Sequence, residues 1–254
     1  MDKMPVLFVG HGTPMNAIEN NNFTEGWKTM VEDIPQPKAI LMISAHWYTD
    51  STRIINDKSP KMIYDMYGFP KELYEIIYPA QNNFEVMDNT VNLLNDYDIE
   101  TVSRGYDHGV WSVLVKMYPD ANIPVCEVSI DGNRSFREYY EIGKKLSYLR
   151  KQGVLIIGSG NIVHNLRKAN YRLGNTGYEW AYSFDEKVKN MIIENDVKGL
   201  INIKDEENAS LAIPTSEHYI PLLYVLGATN NDEVTIYNEE CTLGSLSMTS
   251  YKFE

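Results

Sequence analysis

Five histidines occur in the 254 residues, and each sits in a short segment punctuated by Gly, Ser or Pro. His11 lies in Gly10-His11-Gly12-Thr13-Pro14, His46 in Ser44-Ala45-His46-Trp47, and His108 in Asp107-His108-Gly109. His164 closes Gly158-Ser159-Gly160-Asn161-Ile162-Val163-His164, and His218 stands in Ser216-Glu217-His218-Tyr219-Ile220-Pro221. None falls in a charged run such as residues 202–208. Neutral imidazole is the commonest protein ligand of transition metals and the natural acid/base at neutral pH. Five histidines gathered at turns in distant parts of the chain point to a metal site with proton transfer beside it.

Short apolar runs alternate with amphipathic stretches, the pattern of βαβ units. Strands are expected over residues 6–9, 39–44, 99–103, 125–129, 154–158, 234–237 and 243–251. Helices are expected over 24–31, 71–77, 85–95, 111–117, 136–151, 178–195 and from 215 to about 227. In the stretch after Phe136, Tyr139, Ile142, Leu146 and Leu149 recur at three- and four-residue steps, one apolar stripe, and Gly153 stands where a C-terminal stop belongs. Residues 56–70 and 168–176 have no periodicity, and loops of that length are often lids or substrate walls. The expected architecture is a single α/β domain over residues 1–254, a mixed central sheet flanked by helices. His11, His46 and His164 each follow a strand, so all three belong at the carboxyl edge, where open α/β sheets bind ligands.

His218 and Glu217 fall in the first turn of the 215–227 helix, which Thr215 or Ser216 can cap and where Pro221 is tolerated. Glu217 there is either a helix-end carboxylate suited to the dipole or a metal ligand. His108, beside Asp107 and before a helix, reads on its own as a hydrogen-bonded structural residue. Trp47, Tyr48 and the aromatic segment 64–67 either stack on a substrate ring or pack in the core. The Gly158-Ser159-Gly160 turn lacks the Lys-Ser/Thr of a P-loop, and no GxSxG elbow is present, so neither a phosphate cradle nor a serine nucleophile is expected.

The formal net charge of -12 argues against nucleic acid or an anionic membrane surface as partner. No apolar run approaches the roughly 20 residues of a membrane helix. Cys126 and Cys241, without any CxxC, read as two buried thiols in a reducing cytoplasm rather than as a disulfide or a zinc site.

The segments Gly10–Ala17, Ser44–Trp47, Asp107–Trp111, Gly158–Leu166 and Glu217–Leu223 occur in an order that resembles the class III extradiol ring-cleavage dioxygenases, the DOPA-4,5-dioxygenase-like branch in particular. The resemblance runs from residue 5 to the last strand. It implies an α/β fold with the metal at the carboxyl edge of the sheet, one divalent metal per chain, and His11 and His46 as ligands. It implies that His164 and His218 complete a histidine-rich shell, with zinc often bound. In protocatechuate-type relatives the third ligand is a glutamate and the histidine matching His164 is the acid/base; Glu217 and His218 both stand near that third position. His108 matches a histidine that helps position substrate or oxygen.

The expected reaction is Fe(II)-dependent cleavage of a catechol such as L-DOPA beside one of its two hydroxyls. Both atoms of O2 enter the product, a muconic semialdehyde, and His164 or His108 moves protons. A zinc hydrolase with a metal-bound water is the rival enzyme, with Zn(II) as the alternative occupant of the site. A non-catalytic relative that kept the fold for binding is the rival from another class.

Overall fold

Val6 and Phe8 turn to one side of the first strand and Leu7 and Val9 to the other, and all four are buried. A strand apolar on both faces belongs in the middle of a covered sheet. The computed structural model describes residues 3–254. Its strands are β1 (Val6–Gly10), β2 (Ala39–Thr49), β3 (Arg53–Ile55), β4 (Glu100–Val102), β5 (Val125–Asp131), β6 (Val154–Gly160), β7 (Val234–Tyr237), β8 (Cys241–Thr242), β9 (Leu246–Ser247) and β10 (Ser250–Phe253). Its α-helices are α1 (Asn22–Val31), α2 (Phe84–Leu93), α3 (His108–Met117), α4 (Phe136–Leu146), α5 (Glu179–Ile193), α6 (Val197–Ile201), α7 (Ala209–Ala212) and α8 (Ile220–Ala228). One mixed sheet orders the strands β4-β3-β5-β2-β6-β1-β10-β7, and β8 and β9 form a separate hairpin. The central four, β5, β2, β6 and β1, are parallel, so their carboxyl ends share one edge.

Two apolar layers cover the sheet. Trp27, Trp111 and Leu114 pack on Leu7, Met42 and Ile157 from one side, and α4, α5 and α8 cover Phe8, Leu41 and Ile156 from the other. Helix α8 is buried along its whole length, as its unbroken apolar sequence requires. The expected core of the sheet forms, and the differences lie at its ends. Strand β2 runs five residues past the expected stop and slips register against β5 between Ile43 and Tyr48. His46 therefore lies inside an irregularity of the strand rather than after it. Such a bulge re-aims a side chain out of the pleat.

The helix expected from residue 215 begins at Ile220, and the residues before it form a turn in which Tyr219 and Ile220 donate to the Ser216 carbonyl. Pro221 has no N–H, so it fits only the first turn and forbids an earlier start. Thr215 and Ser216 consequently cap nothing. The single strand expected over 243–251 does not begin until Leu246, because Leu243 and Gly244 take positive φ (52° and 82°) and turn the chain between β8 and β9, and Met248 and Thr249 then part β9 from β10. Of the helix expected over 71–77 only Lys71–Glu75 forms, as a short 3-10 turn, and α4 tightens into a 3-10 turn from Ser147 to Gln152 before Gly153 stops it at φ 85°. The short β3, α6 and α7 have no counterpart in the expected elements.

Candidate metal centre and substrate cavity

The carboxyl ends of β1, β2 and β6 open into a cavity of about 440 Å³, the size of a small-ligand site. All five histidines line it. His11 follows β1 directly, where Gly12 at φ 61° lets the chain turn away and leaves the ring at the strand's end. His218 is delivered by the turn ahead of α8, which lies against the end of β6. The Asn161 N–H donates to the His218 carbonyl at 2.9 Å, and a Cβ on Gly160 would stand 2.1 Å from that same oxygen. Only glycine lets the two chains meet there.

Hydrogen bonds fix which ring nitrogen of His11 and of His218 is free. Ser159 Oγ donates to the Gly109 carbonyl at 2.7 Å, so it can only accept from His11 Nδ1 at 3.0 Å. That leaves the proton on Nδ1 and a lone pair on His11 Nε2. His218 Nδ1 lies 3.2 Å from Glu217 Oε1, to which Thr215 also donates at 2.7 Å, and His218 Nε2 is buried with no partner. His46 Nδ1 lies 3.5 Å from Asp65 Oδ2, and its Nε2 faces His11 Nε2 at 3.1 Å. Two bare nitrogen lone pairs at that distance repel; a cation between them removes the conflict. One ring nitrogen from each of His11, His46 and His218 falls within 4.8 Å of the others, the spread a single metal spans.

Burial is the first cause holding these rings neutral. It lowers His11 and His218 well below the ordinary imidazole value, with the neighbouring histidines adding to the effect. It brings His46 to about 4, with His108 adding to it and Asp107 and Asp65 opposing. Neutral rings keep the lone pairs that a metal needs. The donor set and the orphaned buried Nε2 of His218 both fit a divalent metal.

His164 joins a different trio, with Glu217 and His218, and shares no such group with His11 and His46. Its ring stacks on that of His218, centroids 3.4 Å apart and planes 9° from parallel. Burial lowers it to about 4, against the nearby charge of Glu217. His108 stands beside His46, ring centroids 3.8 Å apart. Asp65 holds it twice, accepting from its backbone N–H at 3.0 Å and pairing with its Nδ1 at 2.9 Å. Burial by itself would raise Asp65, but the hydrogen bond and charge of His108 carry it down to about 2.

Beneath this pair, Asp107 accepts from Ser44 Oγ at 2.7 Å and faces Arg104 at 3.1 Å. Arg104 also lies 3.4 Å from fully buried Glu127. Burial and the charge of Asp107 hold Glu127 well above the usual carboxylate range, with Arg104 opposing.

Met66, Phe69, Leu166, Tyr171, Leu243 and Leu246 supply the apolar wall. The aromatic residues expected to stack are elsewhere. Trp47 is buried under Arg104, Tyr64 packs on Trp111, and neither Tyr48 nor Tyr67 lines the cavity. Phe69 and Tyr171, from the two irregular stretches, take that place. Ser159 and Asp65 were not among the expected site residues. Ser159 was visible only as part of a turn that fits no nucleophile motif, and Asp65 stands in an aperiodic segment that drew notice for its aromatic residues and not for its carboxylate. A larger open depression of about 660 Å³ along α5, lined by Tyr182, Asp185 and Glu239, carries no histidine.

The family model described as the catalytic LigB subunit of aromatic ring-opening dioxygenase matches residues 5–254. The chain is 43% identical to a 4,5-DOPA dioxygenase extradiol of Escherichia coli K12, over 98% of this chain and 94% of that one. It is 35% identical to a 4,5-DOPA dioxygenase extradiol of Beta vulgaris, over 97% and 95%. A crystal structure of an uncharacterized Escherichia coli K12 protein superposes with a TM-score of 0.86 at 38% identity, covering 99% of this chain and 100% of that one.

Proposed function

Because the chain belongs to the family of the catalytic LigB subunit of aromatic ring-opening dioxygenases, we propose that it opens a small catechol of the L-DOPA type, using Fe(II) held by His11, His46 and His218. It is an extradiol dioxygenase with a catalytic metal, and a small aromatic molecule and O2 are its substrates. Residues 1–254 serve as one catalytic domain in this reading. No helix among the described residues is long and apolar enough to cross a membrane; a cytoplasmic enzyme with reduced Cys126 and Cys241 is the proposed setting. Zinc meets the same imidazole donors, and iron is the reading that accounts for oxygen chemistry.

The observation that carries the ligand assignment is the meeting of His11 Nε2, His46 Nε2 and the unpartnered His218 Nε2 at one cavity wall. A metal held by His11, His46 and His218 would act as a Lewis acid, favouring deprotonation of the catechol hydroxyls and supplying the oxygen chemistry. The chain's own residues do the rest. Phe69, Met66 and Leu246 offer the ring an apolar slot and keep water from it. Asp65, accepting a hydrogen bond from His108 Nδ1–H, leaves the lone pair of His108 Nε2 as an acceptor for a catechol hydroxyl proton. His164, neutral at physiological pH, is the second proton carrier: it takes the proton of the second hydroxyl and returns that same proton as the ring opens. Both atoms of O2 enter the muconic semialdehyde product, so no external reductant is needed.

The test is oxygen uptake by protein loaded anaerobically with Fe(II), run with L-DOPA and a catechol panel while recording spectra. Uptake with a yellow product, lost in His11→Ala and absent with zinc, is the expected result. Bound iron without uptake on any catechol would overturn the reading.

A further inference from the structure

Charge on the cavity wall has one sign. Asp65 and Glu217 line it, and among the described residues no Lys or Arg does. The small adjoining chamber, which shares Thr13, Leu243 and Leu246 with the cavity, adds Glu19 and again no base. The nearest basic residues in sequence, Arg167, Lys168 and Arg172, are exposed on the rim segment. The two wall carboxylates are not equivalent. Both oxygens of Asp65 are engaged by His108. Glu217 has Oε1 engaged by Thr215 and His218 and Oε2 without a partner in the protein, and its side chain is 26% exposed to the cavity mouth. Thr215 and His218 thus fix a carboxylate whose second oxygen is available to a ligand.

We infer that Glu217 selects the substrate's side chain: this enzyme prefers catechols bearing a cationic, amine-ended substituent over those bearing a carboxylate. The inference rests on the catechol reading above. The bidentate end of the substrate goes to the metal in every case, so discrimination falls to the substituent. An ammonium group gains a charge-assisted hydrogen bond to Glu217, whereas a carboxylate meets like charge and no Lys or Arg to pair with. In a molecule with both groups, the amine is the one recognised.

The test compares three probes with the Fe(II)-loaded protein, 4-(2-aminoethyl)catechol, 4-methylcatechol and 3,4-dihydroxyphenylacetate. Anaerobic calorimetric binding and oxygen uptake are both measured. The expected wild-type order is amine over methyl over carboxylate, with about tenfold between the first and last, the low end of a charge-assisted bond. Glu217→Gln lowers activity on all three, because His218 loses its anchor, but brings the amine-to-methyl ratio close to one. A ratio unchanged in Glu217→Gln overturns the inference. Where that variant loads no metal, the wild-type ratio is read at low and high salt. A preference that shrinks as salt rises supports an ion pair, and one indifferent to salt overturns it. Equal binding of all three probes overturns the inference alone, and no binding of any overturns the catechol reading with it.

Discussion

The two walls of the cavity are built on different principles. The metal side hangs from the ends of β1 and β2 and from the turn ahead of α8 that lies against β6; hydrogen bonds to Ser159 and Glu217 set the nitrogens of His11 and His218, and Asp65 faces His46 Nδ1 at 3.5 Å. The substrate side is irregular chain, with Asp65 and Phe69 from one long segment and Tyr171, 81% exposed, from another. Ligands held on a rigid sheet keep the sub-ångström geometry that metal chemistry needs. Loops tolerate change, so they are where substrate choice varies. Asp65 belongs to both sides, a loop residue that orients rings on the sheet side.

The sharpest way to break this division is His11→Ala. It removes a ring from the centre of the donor set, and the expectation is a loss of metal affinity beyond about 100-fold. Turnover would vanish with it, measured as metal content after dialysis alongside oxygen uptake. Ser159→Ala keeps every imidazole and removes the acceptor of the His11 Nδ1 proton together with the bond from Ser159 to the Gly109 carbonyl. Outer partners of this kind typically cost about 10- to 100-fold in metal affinity or activity, and a variant that binds metal with wild-type affinity and turns over normally would deny Ser159 that part. Asp65→Asn tests the residue common to both walls. Metal content should stay near wild type while kcat falls about tenfold or more, because His108 is no longer held in one tautomer; a change in KM alone would place Asp65 with the substrate contacts instead. Tyr171→Ala should leave metal content and melting temperature unchanged and raise KM roughly three- to tenfold, the scale of one aromatic contact.

The smallest effect on turnover is expected at Asp185, which stands behind the site. It accepts from Ser247 and from Thr249 Oγ1 and so ties α5 to the chain around Met248, whose backbone packs on Gly10. Burial raises Asp185 to about 6 from an ordinary 3.8, against the hydrogen bonds from the two hydroxyls. A raised folded-state pKa means the group favours the folded chain fully below pH 4 and loses that contribution as pH climbs through 6. The scale is about 3 kcal/mol. Asp185→Asn should therefore flatten the pH dependence of unfolding between pH 4 and 6 by that order, read by denaturant titration at each pH. An unchanged slope would show that Asp185 ionises as an ordinary surface carboxylate does.

The strands that carry the metal side were legible because buried parallel strands write themselves as unbroken Val/Ile/Leu runs. His11, His46 and His164 were legible because each follows such a run or a Gly-rich turn, and His108 and His218 because each stands at or just before the start of an expected helix. What the sequence concealed depends on pairing and approach. The bulge that turns His46 toward the site comes from its register with β5, and the late start of α8 from Pro221. Asp65 meets His108 only because a long aperiodic segment folds back, and nothing in its neighbours marks it. The orienting role of Ser159 was hidden in a motif tested only for other chemistry. The separation of His164 from the His11–His46–His218 trio is a matter of ångströms that no spacing encodes.

The three imidazoles that face one another are far apart along the chain. His11 and His46 are separated by 35 positions, and His218 lies more than half the chain beyond them. A metal joining them staples the first strand, the second and the last helix into closed loops that an unfolded chain would have to surrender. Chelators should then act on this enzyme as mild denaturants. In a cell short of that metal, the metal-free chain would open more often, and its abundance, set by the proteases that find it, would report the metal supply.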